Sequence, residues 1–529
     1  MSLLDALLLD PHRINIWIAQ RTDGLHGSGT QNDPYDGSTA ARLDAILNGL
    51  GANTRIQFGP GTFQINGYQD GGTGGWLKAA MKIVGSGIDV TTLQLVGATA
   101  PNTHYFAIGH PFTSGGRPNL MDSLEISELT IDCNLAGAAT GSACGAVRVL
   151  GNFARASRLK VINWGKKEGA PDCFVIAMIT ADPPSGVTGV IATGIEECVA
   201  MTPGNGDEGP ITVFHVGPKD DTGTNAEGCG PGPYIRNCFL DFGWPTATAE
   251  CRGLSMAWCK GGVVEGNQVH NTKYGGPVVS KSSACDLVVR NNLYKNVAKG
   301  PFWNLATLPA TSLSSLVRDS DPTLAVATTR NAHGLTAGDR VSIGVAGAPS
   351  AYAGIVVVKD VPNPTTFCYE LRANPAANAI NPTLQKVFGM GKLVVEANTI
   401  ELATGTNGLI AIHLDDAGLS LQAPDFAHGE VIIRDNTIRY VDGAFEPGYT
   451  GYGIQVNGAR NLQVRNNVVE AAPANPVRNI RCGSVKYFNN KSSAGELIQG
   501  VDEGKSNKRY DELETDAEDA LVLALLSRR

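Results

Sequence analysis

The sequence predicts an all-β chain whose short strands stack, turn upon turn, as a parallel β-helix. Three observations predict it. A nine-residue unit recurs, the spacing between copies stays near that of solenoid repeats, and no helical pattern separates the copies. The unit reads "VVEGNQVHN" from Val263, "VVRNNLYKN" from Val288, "VVEANTIEL" from Val394, "IIRDNTIRY" from Ile432 and "QVRNNVVEA" from Gln463. Apolar residues alternate with polar ones, which is the signature of strands buried on one face. Aligned on the residue after the polar couple, the copies place Asn267, Asn292, Asn398, Asn436, Asn467 and Asn490 in one column. Weaker copies extend the column backwards through Cys238, Cys198, Leu159 and Leu129. Successive spacings are 30, 39, 40, 29, 25, 106, 38, 31 and 23 residues. All but one lie in the range of solenoid repeats.

A second short strand precedes most copies, as in "GPITVFHVG", "GPVVSKSS", "GLIAIHL" and "GYGIQVNG". Such a unit cannot bury its apolar face alone. Stacking in register buries it, and equivalent side chains then lie about 4.8 Å apart. An inward asparagine at each corner can bond the backbone and the asparagine above it, as in other asparagine ladders. The competing reading of each asparagine is an isolated turn residue in the left-handed region. About ten coils follow from the column, a rod on the order of 45 to 50 Å.

The ends and the long gap need their own elements. In "STAARLDAILNGLGANTRIQFGPGTFQI", Ser38 or Thr39 can cap a helix that places Leu43, Ile46, Leu47 and Leu50 on one face, and Gly51 can close it. That helix reads as a lid over the first rung. The spacing of 106 holds one coil plus an insertion at 320–385, with short alternating strands and strong turns. His333, within it, reads as a turn residue. "YDELETDAEDALVLALLSRR" reads as an amphipathic helix, acidic at its start and basic at its end. The chain therefore divides into an N-terminal anchor segment (1–30), a β-helix with its capping helix (31–319), an inserted antiparallel β-module (320–385), the continued β-helix (386–500) and a tail with an amphipathic helix (501–529).

Composition narrows the function. A net charge of −8 over 529 residues argues against a nucleic-acid partner, whose phosphates need a basic face. No apolar run approaches the roughly 18 to 20 residues of a membrane span. The N-terminus carries Asp5 and Asp10 and no basic region, unlike a secretion signal. Eleven cysteines without CxxC or Cys/His spacing read as reduced, buried thiols rather than metal ligands or a disulfide framework. No cofactor and no metal are expected.

The lid helix, the "GPGTFQI" strand, "IVGSG" and the repeated VxxNxI units resemble the pectate-lyase-like superfamily of right-handed parallel β-helix proteins, over roughly residues 30 to 315 and 390 to 495. Within it, the "HGLTAGDRVSI…YAG…TTFCYEL" insert and the lack of a secretion signal are most similar to phage tailspikes and tail appendages. The resemblance implies a right-handed coil and a homotrimer located on a virion. It also implies a cell-surface polysaccharide as partner, and contact with other tail or surface-assembly proteins through the N-terminal segment or the C-terminal helix. Many relatives are polysaccharide lyases or hydrolases, but their catalytic signatures are not present as sets, and no family residue is carried over.

Two regions hold side chains suited to glycan chemistry, which needs paired carboxyl groups for hydrolysis and aromatic faces for binding. The first lies between Cys198 and Asn267. It contains Asp207, Glu208, Asp220, Asp221, Asp241 and Glu250, with Phe214, His215, Tyr234, Trp244 and Trp258 near them. Here Tyr234 and Trp244 are the candidate sugar-stacking residues, and Asp221 and Asp241 the candidate acids. The second is "IAIHLDDAG". If Ile410, Ile412 and Leu414 point inwards, His413 and Asp415 point outwards side by side. Lys166, Lys167 and Lys281 could contact an acidic sugar. Three functions stay open: a glycan-recognising appendage, a glycan depolymerase working in the same groove, and a rod without ligand.

Overall fold

A computed structural model describes residues 14–72, 75–111, 113–114, 117–118, 120–179, 192–204, 210–217, 229–243, 251–256, 259–279, 286–304, 306–307, 311–346, 351–371, 373–388, 391–403, 410–415, 428–440, 452–469, 477–480, 482–492, 501–503 and 509–510. Its largest sheet has 38 strands, wound into three parallel faces. Sheet 1 is built from the strands that precede the ladder residue, such as Val263–Glu265, Leu287–Arg290 and Lys392–Glu396, each paired in parallel with the next. Sheet 2 takes the strands that follow it, such as Gln268–Tyr274, Leu293–Lys299 and Thr399–Leu402. Sheet 3 takes the remaining strand of each coil, such as Ile211–Val216, Cys251–Met256 and Ile410–Asp415. The protein is a parallel β-helix.

The corner between sheets 1 and 2 explains the repeat. The residue before the ladder position adopts the left-handed conformation coil after coil. Glu128, Arg158, Glu197, Asn237, Asn291, Ala397, Asp435, Asn466 and Asn489 all have φ between 47° and 59°, and Gly266 has 67°. That region suits Gly, Asn and Asp, which is why the second member of the polar couple is so often one of them. The next residue then points inward. Asn267, Asn292, Asn398, Asn436, Asn467 and Asn490 are all buried. Asn292 Nδ2 donates to Val264 O (3.0 Å) and to Asn398 Oδ1 (2.9 Å), while Asn292 Oδ1 accepts from Asn267 N (3.0 Å) and Asn267 Nδ2 (2.9 Å). The same pattern runs on through Asn436, Asn467 and Asn490. At its other end Cys238 N donates to Asn267 Oδ1, and Cys198, Leu159 and Leu129 fill the position as buried apolar groups.

The outer side of the same corner carries alternating charge. Glu196, Arg236, Glu265, Arg290, Glu396 and Arg434 stand directly above one another in sheet 1. Arg290 reaches Glu265 at 2.7 Å and Arg434 reaches Glu396 at 2.6 Å. Exposed pairs of this kind add little stability each. The alternation ends at Arg434, which stands on Arg465 in the next coil.

Three boundaries differ from the sequence reading. The coil begins earlier, because Ile14–Ala19 pairs in parallel with Thr54–Phe58 and so forms a rung. It ends later, because Val501–Glu503 and Arg509–Tyr510 continue sheets 3 and 1. Sheet 1 stacks fourteen described strands, a rod on the order of 60 Å, and the coils around Thr54–Ile65 and Lys82–Leu95 lack the ladder residue that marks the later ones. The capping helix, α1, spans Ala40–Gly49. Thr39 caps it by accepting from Arg42 N, and Leu43 and Leu47 are buried. It closes at an extended Leu50 whose N–H bonds Leu47 O, not at Gly51. One apolar core runs from Ile18 to Val485. Residues 511–529, read as an amphipathic helix, lie outside the described residues.

The insertion is a seven-stranded antiparallel sheet with a separate core that includes Leu313, Leu316, Val341, Phe367 and Tyr369. Its strands close on themselves. Thr383–Phe388 pairs with Arg340–Gly344 on one side and with Thr311–Arg318 on the other. The module is therefore a small barrel that begins before residue 320, because Thr311–Arg318 supplies the strand that closes it. The β-helix stacks directly across it, Leu287–Arg290 on Lys392–Glu396. Replacing residues 306–388 with a short Gly/Ser linker is expected to leave the rod folded, since closing a surface loop changes little with its length. Circular dichroism and thermal unfolding of the excised protein check this. Loss of soluble, cooperatively unfolding protein would show that the barrel holds the solenoid together.

Candidate functional site

Sheet 3 has buried side chains, titratable ones among them, on its outer side as well. The cause is a bend within each strand. Two adjacent residues both enter the core, as with Ala146 and Val147, Val175 and Ile176, Val213 and Phe214, and Ala411 and Ile412. The residues flanking such a pair then share the outer face. One row of them is continuous from coil to coil: Gly109, Arg148, Ala177, His215, Ser255, Val278, Phe302, His413, Gln455 and Arg478. The bend also corrects one expectation. Ile412 and Leu414 enter the core with Ala411, the residue between Ile410 and Ile412, and Ile410, also buried, aligns with Tyr452.

His413 lies near the middle of this row. Only 9% of it is exposed, and neither ring nitrogen has a hydrogen-bond partner among the described residues. The Phe302 ring lies 5.2 Å from its imidazole, and the Tyr274 ring 6.1 Å beyond Phe302. Lys299 Nζ sits 5.0 Å from the Phe302 centroid and 5.8 Å from that of Tyr274, and Lys273 Nζ lies 5.5 Å from Tyr274. Asp415, half-buried, follows on the same strand. Its carboxylate accepts from Asn457 Nδ2 at 3.5 Å, and Gln455 Nε2 donates to Asn457 Oδ1 at 3.3 Å. His428 Nε2 donates to the Asp415 carbonyl at 3.2 Å. The face thus combines two aromatic rings, two ammonium groups, a carboxylate and an unpartnered imidazole.

Burial sets the protonation of this group. His413 is lowered to about 4, first by burial and then by the Lys299 cation, with Asp415 opposing. Burial also lowers Lys299, helped by Lys273 and opposed by Asp415. His428 is lowered to about 4 by burial. At neutral pH His413 is an uncharged imidazole, able to donate from one nitrogen and accept at the other.

The other candidates fall elsewhere. Tyr234 is on the outer side of sheet 1, under the Arg236 guanidinium at 4.1 Å. Asp241 ends a sheet 2 strand, where its Oδ1 accepts from Gly243 N and Asn271 Nδ2, both at 2.8 Å, so it holds the second corner. Neither belongs to the His413 row, because each lies on another face of the coil. Lys166 is buried and pairs with Ala143 across strands, and the Lys167 ammonium bonds the Ala138 carbonyl. In the module, His333 accepts from Leu335 N at 3.0 Å within its turn. Asp207, Glu208, Asp220, Asp221, Trp244, Glu250, Trp258, Lys281 and Asp416 lie outside the described residues. Tyr274 and Lys299 escaped the sequence reading because they end sheet 2 strands just beyond the repeat copies, and Phe302 because the sheet 3 strand Phe302–Asn304 has no repeat motif to align. Only its register with "IAIHLD" reveals the pairing of Phe302 with His413.

No protein-family model and no curated protein matches the sequence. Solved structures do match. The A-module of Azotobacter vinelandii mannuronan C-5 epimerase AlgE4 has 9% identity and a TM-score of 0.43, covering 93% of this chain and 100% of its own. The Agl-KA catalytic domain has 12% identity and a TM-score of 0.46, covering 94% of this chain and 68% of its own. A mutant tailspike protein of E. coli bacteriophage HK620, in complex with a pentasaccharide, has 10% identity and a TM-score of 0.47, covering 96% of this chain and 81% of its own.

The two histidines lowered furthest, His413 and His428, have a consequence for stability. The unfolded chain binds these protons near pH 6.5, the folded chain only near pH 4. Their contribution is therefore present above pH 6.5 and is lost as pH falls towards 4. Urea unfolding at pH 7 and pH 4.5 is expected to show a smaller loss for His413→Gln than for the parent protein. An equal loss in both would place the His413 proton equilibrium near its ordinary value.

Proposed function

We propose that the protein recognises a cell-surface polysaccharide along the outer face of sheet 3 and the adjoining ends of two sheet 2 strands, centred on Tyr274, Phe302, Lys299, His413 and Asp415. The observation that carries this reading is His413, nine-tenths buried and with both ring nitrogens unpartnered, beside two aromatic rings on an outward face. A polyhydroxylated ligand supplies what is missing: hydroxyls that both donate and accept, and apolar ring faces that stack on aromatic carbon. The resemblance to tail appendages makes a virion the natural setting, with a homotrimer as the working form and the chain ends as the attachments. In that setting a rod of stacked coils acts as a rigid support, holding the face at a distance from the particle.

A second reading is cleavage of the same polysaccharide. It is favoured by the uncharged His413 imidazole and the Lys299 ammonium, lowered by burial, beside the Asp415 carboxylate, since cleavage needs groups that give and take protons side by side. Binding is tested with a glycan array and intact host cells. Tyr274→Ala is expected to weaken binding about two- to tenfold, the range of an aromatic contact of about 0.5–1.5 kcal/mol, with unchanged thermal unfolding. Product release that disappears in Asp415→Asn would select the second reading. Absence of binding to any glycan or cell would leave the rod as the function.

A further inference from the structure

A different part of the same row carries a second chemistry. His215 and Ser255 stand directly above one another in adjacent coils of sheet 3. Ser255 Oγ is 3.1 Å from His215 Nδ1, and His215 Nε2 is 3.1 Å from the Gly217 carbonyl oxygen. A carbonyl only accepts, so Nε2 carries a proton. In the neutral imidazole Nδ1 is then the acceptor, and the Ser255 hydroxyl donates to it. The chain thus holds a serine hydroxyl on the basic nitrogen of an imidazole whose other nitrogen is anchored. Nucleophile, base and orienting group form the arrangement that activates a serine. The side chains are each 4% exposed, so bulk water competes little for the bond.

The surroundings match one substrate class. Ala177 lies above His215 in the row, and the Phe174 ring is 5.0 Å from the imidazole. Ala177 and Phe174 form a small apolar cluster with Leu120 and Leu150, separate from the main core. An apolar patch beside a serine–histidine pair fits the acyl group of a carboxylic ester. We propose that Ser255 and His215 form an esterase dyad that hydrolyses short-chain acyl esters, with Ser255 as nucleophile and His215 as general base. Ser255 Oγ bonds to the ester carbonyl carbon while Nδ1 takes its proton. The ester C–O bond breaks and the alcohol leaves with that proton. Water then attacks the acyl-serine, giving one proton to Nδ1 and on to Ser255 as the acid departs. One ester and one water become one acid and one alcohol, and no oxidant or metal is required.

The proposal is independent of the polysaccharide reading, because it concerns other residues and is assayed without a glycan. Full-length protein is given p-nitrophenyl acetate and butyrate, and separately a fluorophosphonate, which loses fluoride as it phosphonylates an activated serine. The expected result is turnover, together with a single adduct on the peptide containing Ser255. Ser255→Ala removes both. His215→Gln lowers turnover by about 10²- to 10⁴-fold. Thermal unfolding of each variant separates lost chemistry from lost folding, and labelling of the parent protein needs no variant at all. A parent protein that carries no adduct at Ser255 and hydrolyses neither ester faster than Ser255→Ala overturns the proposal.

Discussion

The corner between sheets 1 and 2 is the constraint on which the rest of the molecule depends. One residue enters the left-handed region, the next turns inward, and from Asn267 onwards its side chain bonds the neighbouring coils. Without the first, the strand would run straight on. In the coils that carry asparagine, losing it would leave backbone groups at the turn buried unpaired, which costs more than a single hydrogen bond gains. Ala397 shows how firmly the geometry is imposed, since it holds φ 53° with no side-chain group to compensate. Asparagine suits the inward position because it has both a donor and an acceptor. Each amide therefore repeats the same pairing with the next, whatever the loop length between coils.

That independence from loop length is what makes a surface site possible. The corner sets the register of every coil, so sheet 3 strands far apart in sequence come to lie side by side. Phe302 meets His413 across an inserted barrel, and His215 meets Ser255 across a long loop. The bend in each sheet 3 strand sends two neighbours into the core and brings their flanking residues out together. Buried polar groups on an outward face follow from this bend.

Much of this was legible in the sequence, for a physical reason. Features that act locally leave a local pattern. The inward asparagines, the cap at Thr39 with Leu43 and Leu47 behind it, and the turn-rich insertion all left one. His413 and Asp415 were also legible as outward neighbours, because alternation along a strand is local. What escaped was long-range. Asp241 and Tyr234 looked close to a site only because they are near in sequence, and the coil puts them on sheets 2 and 1. Tyr274, Lys299 and Phe302 were invisible because their partners are set by register. Ala411 was missed as a core residue because the bend interrupts the period of two. The first two coils were missed because they turn the corner without the ladder residue.

Leucine at the ladder position provides the cleanest probe, since Leu129 and Leu159 already occupy it in earlier coils without exposure. Substituting Asn292→Leu therefore changes hydrogen bonding more than packing. It removes the acceptor of Asn267 N and Nδ2 and the donor to Val264 O. The free energy of unfolding, measured by denaturant titration, is expected to fall by roughly 1–3 kcal/mol. An Asn292→Leu protein as stable as its parent would contradict the account, because the column would then be a consequence of the stacked coils rather than what holds them in register.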